Sequence, residues 1–202
     1  MSELLEQVQA ALLRPAQRSP LGDAGRRAAV AAIFTPQMEL VFILRAQHEG
    51  DPWSGHIAFP GGRVEAGETP RQACEREVAE ELGLDLTGAL YLGEIDEMKT
   101  PPRLHDLVIS AFVYAFEEDL SFTPNHEVAS VLRQPLSALL SSEGRSSMPY
   151  RFQEQDLTLP CVDFQGVRLW GLTLHLVDDL LHRLDGRGRG LQRLSDESAG
   201  GL

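Results

Sequence analysis

The chain has 202 residues, 43% of them hydrophobic, with 30 acidic and 18 basic side chains giving a formal net charge of −12. That length and apolar content allow one domain with a complete core, and the surplus of acid argues against a long nucleic acid as partner, because a phosphate backbone recruits clustered cations. A small phosphorylated ligand stays compatible, since bound cations and a few Arg or Lys side chains reverse the potential inside one cleft.

In chain order, residues 2–13 place Leu4, Leu5, Val8, Ala11 and Leu12 at helical spacing until the pair Arg14–Pro15 ends the pattern. Acidic residues come early and no apolar run leads to a cleavage site, so the segment does not read as a secretory signal and the expected location is cytoplasmic. After a polar stretch at 19–25, RAAVAAIFTP and MELVFILRA read as a hairpin turning near Pro36 and Gln37. HIAFP is a third short strand running into Gly61 and Gly62.

A helix should start at Pro70, with Thr69 as its N-cap, and end near Leu82 with Gly83 as a left-handed cap. YLGEIDEM and LVISAFVYAF are strands around the loop KTPPRLHD, and EVASVL and PL lead into the apolar segment SALLSS. Residues 148–170 alternate as a hairpin with its turn at Gln165 and Gly166. Residues 172–184 form an amphipathic helix with Leu172, Leu176, Leu180 and Leu184 on one face. The Gly-rich stretch 186–202 reads as a disordered tail.

These elements predict an α/β fold, a mixed β-sheet between helices. Residues 1–25 would form an N-terminal helix and linker, 26–185 the domain, and 186–202 the tail. No apolar run reaches the roughly 20 residues of a membrane span. Cys74 and Cys161 have neither metal-ligand spacing nor the density of a disulfide scaffold. The first and last helices could form a homodimer surface, although packing within the chain explains them equally well.

The predicted helix over 70–82 carries Glu77, Glu80 and Glu81 at positions i, i+3 and i+4, so the three carboxylates share one face. They repel one another, at about 0.2–0.5 kcal/mol per like-charged pair on an exposed helix. A bound cation relieves that repulsion, and hard oxygen ligands suit Mg²⁺ or Mn²⁺. A solvated acidic face is the plain alternative. Ala73, Cys74, Val78 and Leu82 lie on the opposite, core-facing side.

Residues 62–84, GRVEAGETPRQACEREVAEELGL, match G-x5-E-x7-R-E-U-x-E-E-x-G-U, with U aliphatic, at every fixed position. This resembles the Nudix box. The resemblance implies an α/β/α sandwich and a metal-dependent hydrolase acting on a diphosphate attached to a nucleoside. It also implies that the Gly62 carbonyl joins Glu77, Glu80 and Glu81 as metal ligands, and that Arg76 orients Glu68 or Glu77. Glu68 has a structural reading too, since a carboxylate at a helix start favours the dipole. The general base implied by the family varies among carboxylates. Glu77 is one candidate, and Glu127, on the loop before the next strand, is a second.

Upstream, LRAQHEGDPWSGHIAFPGG resembles the R-[SA]-x3-R-x3-G-x3-F-P-G-G signature of the coenzyme A pyrophosphatase group. Arg45, Ala46, Gly55, Phe59, Pro60, Gly61 and Gly62 match; the spacing is one residue longer, and the second Arg is missing. RLWGLTLHLVDDLL resembles that group's WG-[AL]-T helix start. The implied substrate is coenzyme A or a derivative, with (d)NTP, ADP-ribose or a dinucleotide as alternatives, and a non-catalytic nucleotide-binding module as the reading from another class. Arg45 binds a phosphate or caps its strand. Lys99 and Arg103 are second candidate phosphate contacts, and Trp53 a candidate for contacting adenine or covering the site. Phe59 and Trp170 read as core aromatics.

Overall fold

The computed structural model describes residues 3–18, 26–50, 53–100, 107–141, 144–152, 155–164 and 166–185. The first helix, α1 (Glu3–Leu12), turns Leu5, Val8 and Leu12 inward. β1 (Arg26–Phe34) follows; its small and aliphatic residues from Ala31 to Phe34 are fully buried, which suits a central strand covered on both faces. β1 turns into β2 (Glu39–Arg45) as the expected hairpin, pairing Ile33 with Val41 and Phe34 with Leu40. Met38 takes φ 57° in the turn.

β3 (Ile57–Ala58) lies against β2, and β4 (Gly61–Arg63) pairs antiparallel with the first half of β1. The helix α2 (Pro70–Leu82) has the boundaries and caps expected from sequence. The segment 91–98 departs from expectation: it is two strands, β5 (Leu90–Glu94) and β6 (Met98–Lys99). Residues 95–97 leave the strand path because Asp96 and Glu97 have other partners. The Glu97 side chain, 1% exposed, accepts from Arg27 at 2.7 Å, Ser110 at 2.9 Å and Arg18 at 3.2 Å. Asp96 accepts from the Gln17 N–H at 2.7 Å and pairs with Arg14 and Arg183.

β7 (Leu107–Ala115) runs parallel to β1 along its whole length, and β8 (Val128–Pro135) pairs with β2. The resulting eight-stranded sheet is mixed, with the path β3-β2-β1-β7-β5. A five-residue helix, α3 (Leu136–Leu140), occupies the apolar segment after β8. Residues 145–170 hold one more hairpin than the sequence suggested. β9 (Arg145–Phe152), β10 (Gln155–Phe164) and β11 (Val167–Trp170) form a separate antiparallel sheet, with the predicted turn between β10 and β11. The closing helix is α4 (Gly171–Asp185). The tail from 186 lies outside the described residues.

The sheet separates two apolar layers, the α/β/α arrangement predicted. One side packs Ala29, Ala31, Ile33, Phe112 and Tyr114 against α2. The other packs Ala32, Phe34, Phe42 and Val113 against α1, α4 and the small sheet. The inward faces of α1 and α4 are therefore occupied within the chain. Phe59 is a core aromatic, 2% exposed and stacked on Phe42 with ring centroids 4.9 Å apart. Trp170 is only half-buried and packs between His56 at 4.7 Å and Tyr150 at 4.9 Å. Among the described residues no helix is long and apolar enough to cross a membrane.

Because α1 belongs to the main core, its apolar side chains should carry global stability. Leu12→Ala, at a site 6% exposed, is expected to lower the unfolding free energy by about 2–5 kcal/mol in urea denaturation. A loss below about 0.5 kcal/mol would mean that the helix does not dock.

Candidate active site

The helix α2 is fixed at three points. Thr69 and Gln72 form a reciprocal capping box, with the Gln72 N–H on the Thr69 hydroxyl at 3.3 Å and the Thr69 N–H on Gln72 Oε1 at 2.9 Å. Gly83, at φ 63°, ends the helix by donating its N–H to the Ala79 carbonyl at 3.0 Å. Between the caps, Ala73, Cys74, Val78 and Leu82 are fully buried against the sheet, and each of the larger two contributes about 1.5–3 kcal/mol by burial. Their packing sets the rotation of the helix, and so the direction of its carboxylates.

The three glutamates do not share one environment. Glu81 is 1% exposed, and its Oε2 accepts the Gly61 N–H at 2.8 Å. Glu77 is half-buried over Gly62, where any Cβ would collide with the Glu77 carboxylate. Gly61, at φ 143°, likewise leaves no room for a Cβ beside the Ala29 carbonyl. Gly61 is thus required by close approach of backbone, whereas a side chain at Gly62 would have to displace the Glu77 carboxylate. Glu80, with a side chain 57% exposed, faces Arg76 at 3.4 Å. A single solvated acidic face, the plain alternative, does not describe this helix.

Arg76 holds the surrounding acids. Its Nη2 donates to Glu68 Oε1 at 2.8 Å and to the Arg63 carbonyl at 3.0 Å, its Nε to Glu68 Oε2 at 3.2 Å, and its Nη1 to Glu77 Oε1 at 3.0 Å. The fork onto Glu68 is bidentate, a geometry that Lys does not reproduce. Glu68 also accepts the Glu65 N–H at 2.7 Å. The Arg76 hydrogen bonds, with that backbone donor, hold the Glu68 carboxyl below the usual carboxylate range. Burial acts oppositely on the other two. It raises Glu77 despite Arg76, and it pushes Glu81 up to about 7 despite the Gly61 N–H and the Arg45 charge.

Glu127 belongs to the same field, since its charge raises both Glu77 and Glu81. It lies on the loop before β8, where its carbonyl accepts the Ala46 N–H at 2.8 Å. Arg45 ends β2 beside it, and both line a cleft of about 320 Å³ together with Ala46, His48 and His126. Trp53 is half-buried in the turn before β3, its carbonyl accepting the His56 N–H at 3.1 Å. Lys99 is exposed on β6, three strand positions from Arg63 through the register Met98–Ile109–Ala28–Arg63, or about 14 Å away. Arg103 lies outside the described residues.

The fold therefore gathers Arg45, Gly62, Glu68, Arg76, Glu77, Glu80, Glu81 and Glu127 along one side of α2, and leaves Lys99 apart. His48 was not singled out by sequence; only its nearness to Arg45 hinted at it.

Among the described residues, no three His, Cys, Asp or Glu side chains close into a metal cage. Glu77 and Glu81 instead make a half-open pair of oxygen donors, with burial raising the cost of their charge. That chemistry fits a hard divalent cation which keeps waters and shares phosphate oxygens with a ligand, as Mg²⁺ does.

Comparisons with known proteins agree with this geometry. An 8-oxo-dGTP diphosphatase of Haemophilus influenzae is 41% identical over 71 residues, covering 35% of this chain and 48% of that protein. An ADP-ribose pyrophosphatase of Methanocaldococcus jannaschii is 39% identical over 67 residues, covering 33% and 40%. The matches thus span less than half of either relative. The crystal structure of a NUDIX hydrolase from Nitrosomonas europaea superposes with a TM-score of 0.51 at 17% identity, covering 84% of this chain and 76% of that one, a likeness of fold. The NUDIX domain family matches residues 25–151, which include every member of the carboxylate cluster, and the chain belongs to that family.

Proposed function

We propose that this chain is a divalent-metal-dependent hydrolase that splits the diphosphate of a nucleoside diphosphate conjugate, with coenzyme A or a close derivative as its substrate. The observation that carries the reading is the buried Glu81 carboxylate, held on the Gly61 N–H beside Glu77 and Gly62. A fold has little reason to bury that charge unless a cation offsets it. The relatives' names, which specify cleavage of 8-oxo-dGTP and of ADP-ribose, support the bond class.

Glu77, Glu80, Glu81 and the Gly62 carbonyl would hold Mg²⁺ or Mn²⁺. When bound, the ion neutralises the diphosphate and lowers the pKa of an attacking water. Arg76 keeps Glu68 and Glu77 in one geometry through three hydrogen bonds to their carboxylates and a fourth to the Arg63 carbonyl. Glu127 takes the proton of a water that attacks one phosphorus in line, and the P–O bond of the anhydride breaks opposite. Glu77 is the alternative base, although its bond to Arg76 and its place over Gly62 suit it better as a ligand. Arg45, beside Glu81 and Glu127, would meet a phosphate of the diphosphate.

The substrate assignment draws on residues outside the helix. Arg45 and Gly55 are tied by the Gly55 N–H on the Arg45 carbonyl at 3.1 Å, and Phe59 anchors the turn into Gly61. These matching positions support coenzyme A, which would yield 3′,5′-ADP and 4′-phosphopantetheine. The relatives' names favour ADP-ribose or a (d)NTP as the second reading.

A substrate panel with product identification tests the assignment. Coenzyme A should be cleaved with added Mg²⁺ or Mn²⁺ and not in EDTA; turnover of ADP-ribose or dNTP alone would refute the subgroup. Metal binding is tested without turnover. A divalent cation at about a hundred times its Kd should stabilise wild type by about 2.7 kcal/mol. Glu81→Gln should melt higher than wild type in EDTA, because the amide keeps the Gly61 acceptor without a buried charge, and should lose the cation-dependent rise. An equal rise in both proteins would remove Glu81 from the ligands. Glu127→Gln should lower kcat by about 10²–10⁴-fold with little change in that rise; an unchanged kcat would exclude Glu127 as the base.

A further inference from the structure

Beside Arg45 and Glu127 the cleft holds two imidazoles that the cleavage reaction does not use. Arg45 stands at the end of β2, His48 three residues on, and His126 on the loop before β8. The two imidazole rings are 6.4 Å apart between centroids and inclined at 71°. That separation is too wide for a hydrogen bond between them. It suits a tetrahedral anion taking an N–H from each side at about 2.7–2.9 Å.

The loops carrying these donors are fixed before any ligand arrives. The His48 N–H donates to Ser54 Oγ at 2.9 Å, and the Ser54 hydroxyl returns a bond to the His48 carbonyl at 2.8 Å. The Ala46 N–H reaches the Glu127 carbonyl at 2.8 Å, which ties the two loops together. The pair does not read as a transition-metal site, since such sites need three or four protein ligands and no such group exists among the described residues. Glu49 and Glu127 line the same cleft, so an anion gains there by meeting directed N–H donors rather than a uniformly positive field. A volume of about 320 Å³ gives room for one phosphate group between the two rings.

We propose that His48 and His126, next to Arg45, form a subsite for a phosphomonoester, one that the substrate carries on its adenosine ribose apart from the diphosphate that is cleaved. The subsite would make the enzyme prefer conjugates with that extra phosphate over those without it. This rests on the proposed hydrolysis of an adenosine diphosphate conjugate.

The test compares pairs differing only in that phosphate: coenzyme A with dephospho-coenzyme A, and NADPH with NADH. In wild type the phosphorylated member should have the higher kcat/KM by roughly tenfold or more, and in His48→Gln/His126→Gln the ratio should fall toward one. Calorimetry supplies a readout free of turnover: 3′,5′-ADP should bind wild type more tightly than 5′-AMP, and the double variant should lose the difference. Equal kcat/KM within each pair in wild type would overturn the subsite while leaving diphosphate hydrolysis standing. If neither pair is cleaved, the substrate reading fails instead, and the calorimetric comparison alone decides the subsite, equal affinities for the two nucleotides refuting it.

Discussion

A carboxylate with almost no access to water, held by one backbone N–H, is the constraint around which the rest of the site is arranged. The Glu81–Gly61 hydrogen bond fixes how closely α2 can lie to β4. At that separation any side chain at Gly62 would displace the Glu77 carboxylate, which fills the space of its Cβ. Arg76 must then reach past Glu77 to Glu68, and its guanidinium fork sets the loop that connects β4 to the helix. A change at any of these positions alters the others, since each is held by the same short span of backbone.

The scaffold behind the site meets a different requirement. β1 is buried on both sides, so the sheet needs cover on the face away from α2, and α1, α4 and the small sheet supply it. Their attachment is partly ionic. Asp96 and Glu97 draw Arg14, Arg18 and Arg183 onto the segment between β5 and β6, and Arg145 pairs with the buried Asp178 of α4. Breaking one partner of such a buried pair leaves a charge without compensation, and the cost exceeds what the pair itself contributes. The acidic excess of the chain is therefore not spread only over a solvated surface; some of it ties together segments far apart in sequence.

Local signals were legible where they were chemically specific. Thr69, Pro70 and Gly83 announced the limits of α2, because a capping side chain, a missing N–H and a left-handed residue act within one turn of the helix. The spacing of Glu77, Glu80 and Glu81 was equally readable. Their inequality was not, since burial depends on β4 and on the loop before β8 rather than on the helix. The break between β5 and β6 was hidden for a similar reason: residues 91–98 alternate like one strand, and only distant arginines show why 95–97 turn away. The extra hairpin at 145–164 is not legible because no Gly or Pro stands between Phe152 and Gln155. Lys99 reads from the sequence as one of few bases near the expected cleft, and the register sets its strand, β6, three strands from β4.

The sequence by itself determined the family, the chemistry of the donor set and the helix that presents it, because a complete motif places charges and caps at distances of a few residues. Tertiary structure alone decided which carboxylate is buried, which arginine each acid meets, and that Arg45, His48 and His126 border one cleft. Those outcomes depend on contacts across tens of residues, where the register of β1 with β4 and β7, and not the spacing along the chain, sets which side chains come together.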